Sequence, residues 1–117
     1  MDSVALAGRT VLVVEDEPLI MDVVGRLEDA GAAVLAAGRL DQALQLADHP
    51  ALSIAVLDFD LGDCDSTPVC RKLVEREIPF LFHTGRVYGA CQQWPAAPVV
   101  LKASSDELVT ALAALCR

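Results

Sequence analysis

The chain of 117 residues is poor in aromatic residues, in histidine and in positive charge. With only 1 Trp, 1 Tyr and 3 Phe, its core has to be assembled from Val, Leu, Ile and Ala. That palette suits a parallel sheet covered by Ala- and Leu-rich helices. Lys and Arg number 9 against 17 Asp and Glu, a formal net charge of −8. Such a balance argues against a nucleic-acid partner, whose phosphates would be repelled. No apolar run reaches about 18 residues, so neither a membrane span nor a membrane partner is expected. Met1–Gly8 lacks the basic stretch and long apolar run of a signal peptide, and the expected location is the cytoplasm. The cysteines Cys64, Cys70, Cys91 and Cys116 form no CxxC pair, and His49 and His83 do not fall at finger spacing. A structural zinc site is therefore not expected. A chain of this size also holds its own core without disulfides, so buried thiols are the default.

What is present is apolar patterning. Hydrophobic residues make up 54% and charged residues 22%, which implies a packed core and fits one domain. Residues 1–8 read as a tail and 9–117 as the domain. Thr10–Val14, Ala33–Ala37, Leu52–Leu57, Phe80–His83 and Val99–Leu101 are short apolar runs of strand type. Between them lie helical patterns. Pro18 opens one that carries Leu19, Val23, Leu27 and Ala30 on one face and stops at Gly31. Leu40–Ala47 is a second. Thr67 reads as the N-cap and Pro68 as the first residue of a third, which runs to about Glu77. Ser104-Ser105-Asp106-Glu107 offers a capping box to a closing helix through Leu108, Leu112 and Leu115. Arg86–Pro98, with Gly89, Pro95 and Pro98, suits a short helix or a loop rather than a long helix. Alternation of short strands with amphipathic helices predicts an α/β fold with helices on both faces of a parallel sheet.

In such a sheet, ligands bind beyond the carboxyl ends of the strands. Glu15-Asp16-Glu17 follow the first strand, Asp58 the third, Thr84 the fourth and Lys102 the fifth. Carboxylates, a hydroxyl and an ammonium therefore converge on one sheet edge. Hard oxygen ligands suit Mg²⁺, which also relieves the mutual repulsion of clustered carboxylates. A carboxylate can act as a nucleophile and form an acyl phosphate, and phosphoryl transfer needs cationic and hydroxyl groups around the moving charge.

Val11-Leu12-Val13-Val14-Glu15-Asp16-Glu17-Pro18, Val56-Leu57-Asp58-Phe59-Asp60, Phe82-His83-Thr84-Gly85 and Leu101-Lys102 resemble, in order and spacing, the successive motifs of a response-regulator receiver domain. The resemblance covers nearly the whole chain. It implies a flavodoxin-like (βα)5 doubly wound sheet of five parallel strands, with a shortened or irregular fourth helix in Arg86–Pro98. It implies that Asp58 accepts a phosphoryl group from a histidine kinase or phosphotransfer protein, with Mg²⁺ as cofactor. Glu15, Asp16, Asp58 and the main-chain carbonyl of Asp60 would be the metal ligands, Thr84 the switch hydroxyl, and Lys102 the partner of a phosphoryl oxygen. An unidentified downstream protein would read the output. The chain departs from the family in three places. Ala103 follows the lysine where the family has a cis-proline, Val99 stands where an aromatic switch residue is common, and His83 replaces the alanine of a Phe-Ala-Thr-Gly subgroup that carries a following tyrosine, here Tyr88. Asp60 and Arg86 each lie two positions beyond a functional residue and are expected to form an ion pair that screens the aspartyl phosphate and sets its lifetime.

Plainer readings stand beside these. Glu17, and to a lesser degree Glu15 and Asp16, can serve the N-terminus of the helix opening at Pro18. His83 alternates with Thr84 and is expected to face the other side of the sheet as a packing or surface residue. A protein-binding module without phosphorylation is one alternative function. Another is a phosphatase of the haloacid-dehalogenase type, whose DxD motif Asp58-Phe59-Asp60 resembles, although that motif belongs on a first strand. No turnover of an external small molecule is expected from a receiver.

Overall fold

The alternation of side chains along each short strand decides the architecture. In the computed structural model, which describes residues 5–16, 18–62, 64–85 and 93–116, the strands are β1 (Thr10–Val14), β2 (Ala33–Ala37), β3 (Ile54–Leu57), β4 (Phe80–Thr84) and β5 (Val99–Leu101). They form one parallel sheet in the order β2-β1-β3-β4-β5. The helices among the described residues are α1 (Ile20–Asp29), α2 (Leu40–Leu46), α3 (Thr67–Glu75) and, after a 3-10 helical segment (Lys102–Glu107), α4 (Leu108–Leu115). This is the doubly wound flavodoxin-like arrangement. The expected fourth-helix region falls largely on residues 86–92, outside the described residues.

Each sheet face buries one set of alternating residues. Val11, Val13, Ile54, Val56, Leu81 and Val100 pack against Val23 and Leu27 of α1 and Leu108 and Leu112 of α4. Leu12, Val14, Ala55, Leu57 and Phe82 pack against Ala43 of α2 and Val69, Cys70 and Leu73 of α3. Both faces are covered, so the strands read as continuous apolar runs rather than as alternating ones. Among the described residues the aromatics gather on the α3 side, where Phe82 meets Phe59 and Phe80 edge-on at 5.6 and 5.7 Å and Phe80 meets Trp94 at 6.0 Å.

Several boundaries differ from the sequence reading. Leu6, placed there in a tail, is fully buried, and its N–H donates to the Ala30 carbonyl at 2.9 Å. A single leucine ahead of the strand carries no periodicity that could announce this. Thr67 is the first helical residue of α3 rather than its N-cap. Asp65 lies upstream and accepts the Thr67 N–H at 2.9 Å, so the orphan donor is satisfied from there. The α3 helix stops at Glu75, Glu77 takes φ 57°, and the Ile78 N–H returns to the Leu73 carbonyl at 2.9 Å. The capping box does not form at α4, which has no side-chain cap, because Ser104 to Glu107 lie in the 3-10 segment and the N-cap falls on Glu107.

Gly31 ends α1 as the sequence predicts. It has φ +96°, and an added Cβ would lie 3.1 Å from the Cα of Ala7. The position therefore requires both the conformation and the absence of a side chain.

Candidate functional site

The strand order places β1 between β2 and β3, and the connections leave the two sides of β1 in opposite directions. A crevice opens beyond the carboxyl ends of β1 and β3 at such a switch point. Main-chain bonds fix what stands there. The Asp58 N–H donates to the Val14 carbonyl at 2.8 Å, and the Glu15 N–H donates to the Ala37 carbonyl at 3.0 Å. The last rung of the β1–β3 ladder thus delivers Asp58 beside Glu15 and Asp16. Carboxylate oxygens of Glu15, Asp16 and Asp58 lie within 4.8 Å of one another. Glu15 and Asp58 are buried, with 2% and 5% of their surface exposed, and Asp16 is exposed.

Lys102 reaches this cluster from the end of β5. Its ammonium donates to Asp58 Oδ2 at 2.8 Å and to Glu15 at 3.1 Å. One ammonium among these carboxylates leaves an excess of negative charge in a largely buried place. The Glu15 carboxyl records the strain. Burial first, then the Asp58 charge, push its pKa from 4.5 up to about 7 against the pull of Lys102. A set of hard oxygen donors with surplus negative charge fits a divalent cation of the Mg²⁺ type.

Thr84 is buried at the end of β4, in register with Leu101, the residue before Lys102. Asp60 is exposed, and its Oδ1 accepts the Gly62 N–H at 2.9 Å, so its side chain closes a turn of the β3–α3 loop. Among the described residues its carboxylate is not part of the carboxylate cluster. Glu17, Arg86, Tyr88 and Cys91 lie outside the described residues, and with them the expected Asp60–Arg86 pair. Of the cysteines, Cys70 is buried, and burial pushes its thiol up to about 12, which makes it inert.

No family model matches the chain. Among curated proteins it is similar to the sensor protein TorS of Escherichia coli, with 34% identity over 76 residues that make up 63% of this chain and 8% of that protein. The chain therefore spans only a small part of that relative. Among solved structures it is similar to a response regulator receiver protein from Sinorhizobium medicae, with TM-score 0.82 and 25% identity over 93% of this chain and 94% of the other. It is also similar to SdrG from Sphingomonas melonis, with TM-score 0.74 and 32% identity over 97% of this chain and 98% of the other. The chain belongs to the response-regulator receiver family. Two-component signalling is the setting of this receiver domain.

The receiver carries its family differences in specific places. Every described peptide bond is trans, the Lys102–Ala103 bond included, and the chain turns directly into the 3-10 segment. Val99, at the position often aromatic, is half-buried and pairs with Phe82. Asp58 follows the third strand in chain order, which is not the first-strand place of a dehalogenase-type nucleophile.

Sequence reasoning missed one contact of this site. His83 is buried, 1% exposed, and its Nε2 lies 2.8 Å from Ser105 Oγ. Strand alternation does put His83 opposite Thr84, alongside Leu81, as expected. Its partner, twenty-two positions further on, could have been found only from the β4–β5 register. Burial, and then the Lys102 charge, lower its pKa from 6.5.

Proposed function

We propose that this receiver is a phosphorylation switch in which Asp58 takes a phosphoryl group from a phosphohistidine of a histidine kinase or phosphotransfer protein. One carboxylate oxygen of Asp58 forms the new O–P bond as the N–P bond of the donor breaks, and the imidazole leaves with its proton. Hydrolysis of the acyl phosphate by water later returns Asp58 and inorganic phosphate. Glu15, Asp16, Asp58 and the main-chain carbonyl of Asp60 would hold Mg²⁺. When bound, Mg²⁺ neutralises the equatorial oxygens of the phosphoryl group and offsets the repulsion among the carboxylates. Lys102 turns from Asp58 toward a phosphoryl oxygen, Thr84 supplies a hydroxyl to another, and Arg86 with Asp60 screens the product from water.

The observation that carries this reading is the Lys102 ammonium 2.8 Å from a buried Asp58 that also shares a 4.8 Å cluster with Glu15 and Asp16. The likeness to response regulators and to a segment of a sensor protein supports a donor of the histidine-kinase class. The protein would work in the cytoplasm, and its output would be contact with a downstream protein or the draining of phosphate from the kinase. Among the described residues no helix is long and apolar enough to cross a membrane.

The test is incubation with acetyl phosphate, with and without Mg²⁺, followed by intact mass. A single phosphoryl adduct that requires Mg²⁺ is expected. A folded protein that forms no adduct contradicts the reading and turns the search to a phosphorylation-independent binding module.

A further inference from the structure

Lys102 stands one residue past the last rung of the sheet. The β5 strand is three residues long, and its final pair is Leu101 with Thr84. The lysine stem is long and rich in rotamers, so an ammonium held 2.8 Å from Asp58 requires a fixed backbone beneath it. No proline bend supplies that here, since Ala103 follows through a trans bond.

A short chain of hydrogen bonds does. The Ser105 hydroxyl donates to the Lys102 carbonyl at 2.8 Å. His83 Nε2 lies 2.8 Å from the same hydroxyl oxygen. The hydroxyl has one hydrogen, and it is directed to the carbonyl, so Nε2 carries a hydrogen and donates to Ser105. His83 itself is buried on β4, in register with Val100. The relay therefore anchors the main chain of Lys102 to the centre of the sheet. Burial, and then the Lys102 charge, lower its pKa from 6.5, which favours the neutral ring that this role needs.

We propose that His83 and Ser105 are a positioning pair that holds the Lys102 main chain, and through it the ammonium at Asp58, in the place of the family's proline bend. The inference rests on the reading of Asp58 and Lys102 as the phosphoryl-transfer pair. Neither residue of the pair touches the phosphoryl group.

The experiment is the rate of Asp58 phosphorylation by acetyl phosphate in saturating Mg²⁺. It is measured for His83→Leu, Ser105→Ala and His83→Gln, with and without Lys102→Ala. His83→Leu and Ser105→Ala should each slow the reaction roughly ten-fold, inside the ~100-fold loss that a 1 Å misplacement brings. His83→Gln keeps an N–H donor near the Nε2 position and should stay close to the wild-type rate. In the Lys102→Ala background neither His83→Leu nor Ser105→Ala should slow the reaction further, because the group they position is gone. Equal fractional losses with and without Lys102 would reveal a merely structural role and overturn the inference, as would wild-type rates in the single variants. Should His83→Leu not fold, Ser105→Ala breaks the same relay from a partly exposed position and decides alone. A wild type that forms no adduct overturns the phosphorylation reading and this inference together, whereas a normal wild-type adduct with unaffected variants overturns only the positioning role.

Discussion

Glu15 and His83 are the two residues in and beside the site whose ionisation the fold shifts. With its pKa raised from 4.5 to about 7, Glu15 holds a proton in the folded chain that it releases when unfolded. Its contribution to stability is therefore complete below pH 4.5 and is lost as pH rises through about 7. His83 works in the opposite sense. Its lowered pKa gives a contribution that is complete above 6.5 and is lost as pH falls from there. Above pH 6.5 only the Glu15 slope remains of the two. In metal-free buffer the thermal midpoint should fall between about pH 6.5 and 8, and Glu15→Gln should flatten that fall. An unchanged slope in Glu15→Gln would assign the effect to another group. Lys102 bridges both buried carboxylates, and loss of a positioned charge-stabilising group typically slows such chemistry by about 10²–10³-fold. Lys102→Ala should show a loss of that size in its rate of phosphorylation by acetyl phosphate.

At the scale of elements, termini are where the sequence was least legible. The strands could be read from short apolar runs bounded by turn residues, and in β1, β3 and β4, which are buried almost throughout, the sheet leaves little choice of side chain. The carboxylates and the lysine were legible because each follows such a run directly, and the parallel order then brings the strand ends together. The capping box at Ser104-Ser105-Asp106-Glu107 was misread because serines before an acidic pair have the same local pattern whether they cap a helix or, as Ser105 does, bond across the fold. The buried Leu6 and the left-handed Glu77 likewise depend on tertiary partners. Two helix ends make opposite predictions. Glu77 is exposed at φ 57°, so Glu77→Gly relieves a left-handed side chain and should stabilise the fold by about 1 kcal/mol. Gly31→Ala forces a Cβ to 3.1 Å from Ala7 at φ +96° and should destabilise it by more than about 1 kcal/mol. Urea unfolding of the two variants checks both signs.

For the whole molecule, the proposed Mg²⁺ site in the carboxylate cluster of a chain with net charge −8 would link cation binding to folding. A cation that binds only the folded chain stabilises it by about 2.7 kcal/mol at a hundred-fold excess over its Kd. Mg²⁺ should therefore raise the thermal midpoint, and Asp16→Ala, which removes one member of the cluster, should largely abolish the rise. A cation held by Glu15 would displace its proton, so the rise should be larger at about pH 8 than at about pH 6. Equal shifts at the two pH values would mean that Glu15 is not displaced. On the proposed reading the same linkage would tie the metal to the switch, since the carboxylates of the cluster include Asp58.

The most direct measurement of the central claim is the position of the phosphoryl group. Protein treated with acetyl phosphate and Mg²⁺ would be reduced with borohydride, which converts an acyl phosphate to homoserine, then digested and sequenced by mass spectrometry. Homoserine at position 58, and none there without Mg²⁺, is the result predicted. Homoserine at Asp16 or Asp60 with Asp58 intact would contradict the account, because the group that Lys102 contacts would not be the acceptor.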